Sequence, residues 1–290
     1  MGDSKWRVHV LVNNVVKEGP FLGEHGLSMI VEGPELRDRG FILFDTGQSA
    51  EVLLKNAGEM GVEWSKVHTI VLSHSHYDHS GGLLGLMPRI GRTVSVVGHP
   101  ATFVPRANRK PHFRDIGIPF TKEQLAGLHV EFAGSKESRF LTPNLIVTGE
   151  IPRVMAFERD STKGLLREEY GEYVHDDVPD DRSLVIRVPG TGFYLICGCC
   201  HSGLLNTLSH AAEISGERRV LGIIGGLHLG SYEEESLNRV VTGLVQWNPA
   251  LIVPLHCTGI RASAVLWKAF GDRVKFYTTG DTVELDPVTL

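Results

Sequence analysis

VHTIVLSHSHYDHSGG, residues Val67–Gly82, decides how this chain is read. Its first half, with Val67, Thr69, Ile70, Val71 and Leu72, is apolar and largely β-branched, and reads as a short buried strand. That strand delivers His74, His76, Asp78 and His79 into a loop closed by Gly81 and Gly82. Imidazole nitrogen and carboxylate oxygen are donors that divalent zinc, iron and manganese accept. Alternate residues of an extended segment lie on one side, so His74 and His76 are expected to converge on one ion. Asp78 and His79, past the bend, are expected to face a neighbouring position. A surface loop that is merely rich in histidine is the plainer alternative, and a preceding strand and a following Gly-Gly argue against it.

Composition sets the frame around this loop. A chain of 290 residues can bury a full core. With 29 basic and 34 acidic residues the net charge is −5, so no global field points to nucleic acid or membrane as a partner, and a small molecule is the expected one. The N-terminal MGDSKWRVHV has no apolar core of a signal peptide, and no apolar run is long enough to span a bilayer. A soluble, cytoplasmic protein, with homo-oligomerisation left open, is therefore expected. The four cysteines are Cys197, Cys199, Cys200 and Cys257. Their clustering without an export signal favours reduced thiols or metal contacts over a disulfide framework. Cys197 and Cys257 are read as buried structural thiols.

Along the chain, predicted strands at Trp6–Val16, Leu27–Glu32 and Gly40–Phe44 precede a helix over Ala50–Met60. The second strand pair ends in Asp45. After the histidine loop come a helix over Leu83–Met87, stopped at Pro88, and a strand ending in Gly98-His99-Pro100, whose histidine reads more simply as structural than as a ligand. Arg106–Arg114, RANRKPHFR, is locally basic. It reads either as solvated surface or as a rim that draws an anionic substrate, since arginine forks suit phosphate and carboxylate. Glu150–Arg182 is charged with little apolar periodicity and is expected to be an insertion or lid. Strands at Ser183–Val188 and Phe193–Cys197 lead into CGCCHSGLLNTL, where Ser202 is expected to cap a helix. Further strands end in His228 and His256, and Val274–Tyr277 reads as another strand. Asp45, the His74–His79 loop, Cys199 with His201, His228 and His256 all follow predicted strands. In layered α/β folds sites lie at strand ends, so this regularity predicts one shared cleft.

HSHYDHSGG, preceded by FDTG at Phe44–Gly47, resembles the signature of the metallo-β-lactamase superfamily. The resemblance implies an α/β fold, an αββα sandwich formed by one domain over residues 1–290, with one or two metals in a cleft between its halves. It implies that Asp45 supports the histidine loop by hydrogen bonding. It also implies a third histidine of the first site, within Gly-His-Thr, near Gly149, where this chain has GEIPR instead. Cys199 stands where the superfamily has a metal-bridging Asp, with His201 two residues on, and His256 stands at the last ligand position. The expected metal ligands are thus His74, His76, Asp78, His79, Cys199, His201 and His256, with zinc first and iron or manganese also compatible. Asp78 and His228 are the expected catalytic groups, and Arg153 and Arg106 the expected substrate-binding ones.

GHP at Gly98, GEIPR at Gly149, GCCHSGLLNTL at Gly198, GGLHL at Gly225 and HCTG at His256 resemble the dihydropterin ribofuranosylaminobenzene 5′-phosphate synthase-like branch. Three functions are carried forward. The first is a metal-dependent hydrolase acting on an anionic, phosphate-containing or pterin-like small molecule. The second is a pterin-pyrophosphate-dependent transferase. The third is a non-catalytic metal- or ligand-binding module.

Overall fold

A computed structural model describes residues 5–286. In chain order its strands are β1 (Trp6–Val12), β2 (Ser28–Glu32), β3 (Phe41–Phe44), β4 (Val67–Val71), β5 (Val94–Gly98), β6 (Arg106–Asn108), β7 (Arg114–Asp115), β8 (Val130–Gly134) and β9 (Arg139–Thr142). They continue with β10 (Leu145–Val147), β11 (Leu165–Glu169), β12 (Glu172–His175), β13 (Ser183–Val188), β14 (Gly192–Cys197), β15 (Val220–Gly226), β16 (Ile252–Leu255) and β17 (Thr282–Leu285). The α-helices are α1 (Ala50–Glu59), α2 (Tyr77–Ser80), α3 (Leu83–Ile90), α4 (Lys122–Ala126), α5 (Leu204–Ser215), α6 (Glu234–Trp247) and α7 (Gly259–Phe270). Contacts divide the chain into two compact units. One holds the chain up to Lys136, Gly164–Asp176 and the chain from Tyr277; the other holds Glu137–Lys163 and Asp177–Phe276.

The first unit is built on a seven-stranded sheet in the order β17-β1-β2-β3-β4-β5-β8. β3, β4, β5 and β8 run parallel, and β1, β2 and β17 antiparallel. β4 is central, and Val67, Ile70 and Val71 are fully buried, which is why its sequence is apolar rather than alternating. Leu53 and Ala57 of α1 and Leu83, Leu86, Met87 and Ile90 of α3 pack in one cluster with Leu43, Ile70 and Val96 of the strands. Each such aliphatic side chain contributes roughly 1.5–3 kcal/mol on leaving water. Helix α3 runs through Pro88 to Ile90 instead of stopping before it. The ring removes one helical hydrogen bond in the last turn, where the helix has almost ended at Gly91 in the left-handed conformation.

A four-stranded sheet, β12-β11-β6-β7, completes this unit. It shows what the charged run 150–182 conceals. Leu165 and Leu166 of β11 are buried, and β11 pairs antiparallel with β6, so Gly164–Asp176 is a hairpin built into the sheet. Charge patterning hid it because only two residues of the strand are buried.

The second unit is built on a six-stranded sheet, β16-β15-β14-β13-β10-β9, whose β14, β15 and β16 are parallel. Leu204, Leu205 and Leu208 of α5, Leu237, Val240 and Leu244 of α6 and Leu266 of α7 pack with Leu195, Ile223 and Ile252 of its strands. The expected strand at Val274–Tyr277 reduces to a single bridge between Val274 and Ile252 after a 3-10 turn over Gly271–Arg273. Among the described residues, no helix is long and apolar enough to cross a membrane.

Candidate metal centre

In both units the chemistry-bearing residues follow the carboxyl ends of parallel strands, where open α/β sheets place their ligands. Asp45 follows β3, Ser73–His79 follows β4, Cys199–His201 follows β14, His228 follows β15, and His256 follows β16. Asp45, Cys200, His228 and His256 all have positive φ, at 61°, 58°, 49° and 48°. Left-handed backbone at a non-glycine residue is strained and persists where the surroundings impose it.

In the first unit, the loop after β4 is pinned by main-chain bonds before any side chain acts. Thr46 N–H donates to the His79 carbonyl at 2.7 Å, Tyr77 N–H to that of Ile116 at 3.0 Å, and Leu27 N–H to that of Asp78 at 3.1 Å. Gly81 and Gly82 exist for close approach. A Cβ on Gly81 would lie 2.2 Å from the Gln48 carbonyl oxygen, and one on Gly82 2.2 Å from that of Thr46. The Gly-Gly of the motif is therefore what lets the Asp45–Ser49 loop lie against the histidines.

Asp45, fully buried, organises the rings. Its Oδ1 accepts from Ser73 N–H at 2.7 Å, and its Oδ2 from Ser73 Oγ at 2.7 Å. His79 Nδ1 stands 2.6 Å from the same Oδ2. The Ser73 hydroxyl proton is committed to Asp45, so the network assigns His74 Nδ1–H as donor to Ser73 Oγ at 2.9 Å. Both His74 and His79 then carry their protons on Nδ1 and present the Nε2 lone pair. His74 Nε2 lies 2.9 Å from His76 Nδ1, and the His74 ring stands 4.3 Å, centroid to centroid, from that of His79. Burial, then the neighbouring His79 and His76, hold the His74 pKa well below the usual histidine range. Neutral, buried imidazoles backed by a carboxylate form a donor set that fits a divalent metal. Asp78 Oδ2 lies 3.9 Å from His79 Nε2 and 3.1 Å from Nε2 of His25. His25, in the glycine-rich loop before β2, is a contact that no local pattern along the chain could place.

Asp45→Asn keeps the shape of this support and removes its charge. Metal affinity measured by chelator competition is expected to fall 10–100-fold; an unchanged affinity would mean that Asp45 does not tune the histidines.

In the second unit, the loop after β14 is held from outside. Arg153 Nη1 donates to the His201 carbonyl at 2.7 Å, Ser161 Oγ to the same oxygen at 2.6 Å, and Ser202 N–H donates to Asp181 at 2.8 Å. The other arm of Arg153 meets the carbonyls of Asp177 and Val178. Expected as a substrate clamp, Arg153 instead spends its fork on main-chain oxygens. Ser202 does not cap α5. The buried carboxylate of Glu158 does, accepting from Leu205 N–H and Asn206 N–H at 2.9 Å each, where a helix N-terminus leaves donors unsatisfied.

Cys199, His201 and His228 bring donor atoms within 4.8 Å of one another, as do Cys199, His256 and Cys257. The His201 and His228 rings lie tilted at 50° to one another with centroids 4.2 Å apart. Cys257, read from sequence as a structural thiol, has its Sγ 3.2 Å from Cys199 Sγ. Burial alone would raise its thiol, but the Cys199 hydrogen bond and the adjacent His256 and His228 bring it well below the usual cysteine range. Cys200 differs: its hydrogen bond to Cys197 and its burial push the thiol well up, so it stays protonated in the core.

Arg106, expected as a substrate-binding residue, lies in the interior. It is 1 % exposed, and its Nη1 pairs with buried Asp176 Oδ2 at 2.9 Å. β6 turns the side chain inward, where the partner comes from the end of the β11–β12 hairpin. His99 Nδ1 accepts from Ala101 N–H at 3.0 Å within the turn after β5.

Glu158 also makes stability depend on pH. Burial raises its pKa from 4.5 to about 7, against the opposing backbone donors and Arg153. Between those values the folded chain keeps a proton that the unfolded chain releases, so stability falls as pH rises from 4.5 to about 7 and is level above it. The loss is on the order of 3 kcal/mol. Glu158→Gln is expected to flatten that slope in denaturant titrations run with chelator; an equal slope in the variant would assign it to other groups.

Residues 23–148 match the model of the metallo-beta-lactamase superfamily. Over 255 residues, 87% of this chain and 86% of the relative, the sequence is 32% identical to the 7,8-dihydropterin-6-methyl-4-(beta-D-ribofuranosyl)-aminobenzene-5'-phosphate synthase of Methanocaldococcus jannaschii. The crystal structure of Tm1679, a metal-dependent hydrolase of the beta-lactamase superfamily, superposes with a TM-score of 0.80 at 28% identity, covering 96% of this chain and 98% of that one. A diphosphatase from the PhnP family shares the fold, with a TM-score of 0.55 at 13% identity over 97% and 98% of the two chains. The chain belongs to the metallo-beta-lactamase superfamily, and its α/β fold is of that type. The expected likeness to the dihydropterin ribofuranosylaminobenzene phosphate synthase branch extends over most of its length.

Proposed function

We propose that the chain is a metal-dependent hydrolase of an anionic small molecule, phosphate-containing or pterin-like. The observation that carries this reading is the buried triad of His74, His76 and His79, with two of its rings oriented by the Asp45–Ser73 network. In the first unit His74, His76, Asp78 and His79 would hold a divalent metal; in the second, Cys199, His201 and His256 are the residues that would bind one. Zinc suits this mixture of imidazole, carboxylate and thiol, and iron or manganese suits its nitrogen and oxygen part. The metal, when bound, supplies an electrophile for a phosphoryl or carbonyl oxygen and acidifies water. Asp78 accepts a proton at Oδ2, and His25 Nε2, 3.1 Å away on a side chain 51% exposed, passes it to solvent. His228, partly exposed beside His201, is the second candidate acid or base.

The 32% identity to a named synthase favours a second reading, transfer from a pterin pyrophosphate to an aromatic ribosyl acceptor. One product analysis separates the two. The protein is incubated with a pterin pyrophosphate, with and without the acceptor. Phosphate or pyrophosphate released equally in both supports the hydrolase; release only with acceptor supports the transferase. No release in either, from protein shown by elemental analysis to be fully loaded, counts against both.

A further inference from the structure

Cys257 was set aside by the sequence as a packing residue, and the structure does not treat it as one. We propose that Cys199 and Cys257 bind the same metal ion through two thiolates, with His256 as an imidazole partner, so that the second unit carries a sulfur-rich site for a soft or borderline ion such as zinc. The inference rests on the reading of Cys199 and His256 as ligands and adds Cys257 to it.

The geometry carries the proposal. The two Sγ atoms stand 3.2 Å apart. A disulfide needs ~2.05 Å, and two sulfurs on a tetrahedral zinc with Zn–S of ~2.3 Å stand about 3.8 Å apart, so the observed spacing is nearer the metal-bridged one. The donor atoms of Cys199, Cys257 and His256 lie within 4.8 Å of one another. His228 N–H points at Cys257 Sγ from 3.3 Å, the type of outer hydrogen bond that orients and tunes a metal thiolate. The fold also keeps room for this sulfur. Gly226, at the end of β15, would place a Cβ 2.8 Å from Cys257 Sγ, besides 2.2 Å from the Gly198 carbonyl oxygen. The 3-10 turn His256–Thr258 begins with His256 at φ 48°, a strained start that directs two consecutive donors into one neighbourhood.

The test uses reduced, full-length protein freed of metal and loaded with cobalt(II). Thiolate ligands give cobalt a near-ultraviolet charge-transfer band, which nitrogen and oxygen ligands do not, and its intensity grows with the number of cobalt–sulfur bonds. The wild type is expected to show a two-thiolate band, Cys257→Ser and Cys199→Ser each about half of it, and the double variant none. X-ray absorption of the zinc-loaded protein, with sulfurs counted per chain because the first unit takes zinc as well, gives a readout independent of absorbance: two sulfurs at ~2.3 Å in the wild type and one in each single variant. Circular dichroism of each variant shows whether it is folded. A full band retained in folded Cys257→Ser but lost in Cys199→Ser overturns the assignment of Cys257 and leaves Cys199 a ligand. If Cys257→Ser does not fold, a single zinc-bound sulfur per chain in the wild type overturns the proposal. Metal bound with no sulfur at all overturns both thiol assignments and leaves the hydrolase reading on the first unit's histidines.

Discussion

His76→Ala is expected to lose both its bound metal and its turnover of a chromogenic phosphodiester while remaining folded. The side chain is 6% exposed and its Nδ1 lies against His74 Nε2, so truncation removes one donor and releases the ring that fixes another. The loop itself does not depend on that ring. It is secured by main-chain bonds from Thr46, Tyr77 and Leu27 and by the Gly81–Gly82 contact with the Asp45–Ser49 loop. The loss should therefore exceed the ~100-fold upper end associated with outer partners of a metal site, with little change in melting temperature. Asp78→Ala is expected to behave alike, since it removes an oxygen donor and the proton acceptor together. Elemental analysis and rate measurement on the same preparation decide the matter. A variant that has lost its metal and hydrolyses at the wild-type rate would sink the mechanism.

Arg106→Ala is expected to destabilise the fold by about 3–5 kcal/mol. The side chain is 1 % exposed and the structure gives it Asp176, itself fully buried, as its ion-pair partner, with Arg167 farther off at 3.8 Å. Deleting the guanidinium leaves a carboxylate in the interior with its main counter-charge gone, which costs more than the pair ever contributed. Arg106 on β6 and Asp176 at the end of β12 tie the β6–β11–β12 sheet together, so the damage should spread across that sheet as faster amide exchange. A substrate-binding arginine predicts the opposite pattern, a raised KM at unchanged stability. Denaturant unfolding and Michaelis kinetics on one variant tell them apart.

What the sequence disclosed was whatever depends on neighbours along the chain. VHTIVLSHSHYDHSGG carries its own strand, its histidines and its glycines in sixteen consecutive positions, and the support that Asp45 gives this loop was legible through the family resemblance of FDTG rather than from its place at a strand end. What stayed hidden depends on partners far away. Arg106 reads as surface until Asp176 is brought to it by a hairpin. Glu158 caps a helix that starts more than forty positions later, and no local pattern encodes that. Cys257 looked like filler because its significance is the distance to Cys199, 58 positions upstream. Pro88 misled for a different reason: proline ends helices on average, but near a C-terminus it removes little.

The left-handed backbone at Asp45, His228 and His256 has one more consequence. A residue held in that conformation costs of order 1 kcal/mol or more relative to glycine. At these positions selection for folding and selection for chemistry therefore pull in opposite directions. In a library screened only for soluble expression, glycine and asparagine should accumulate at His228 and His256 in preference to alanine. The same clones, screened for activity, should be depleted. A mutational scan read twice in this way would mark the working residues by the sign of their disagreement, without knowledge of the substrate.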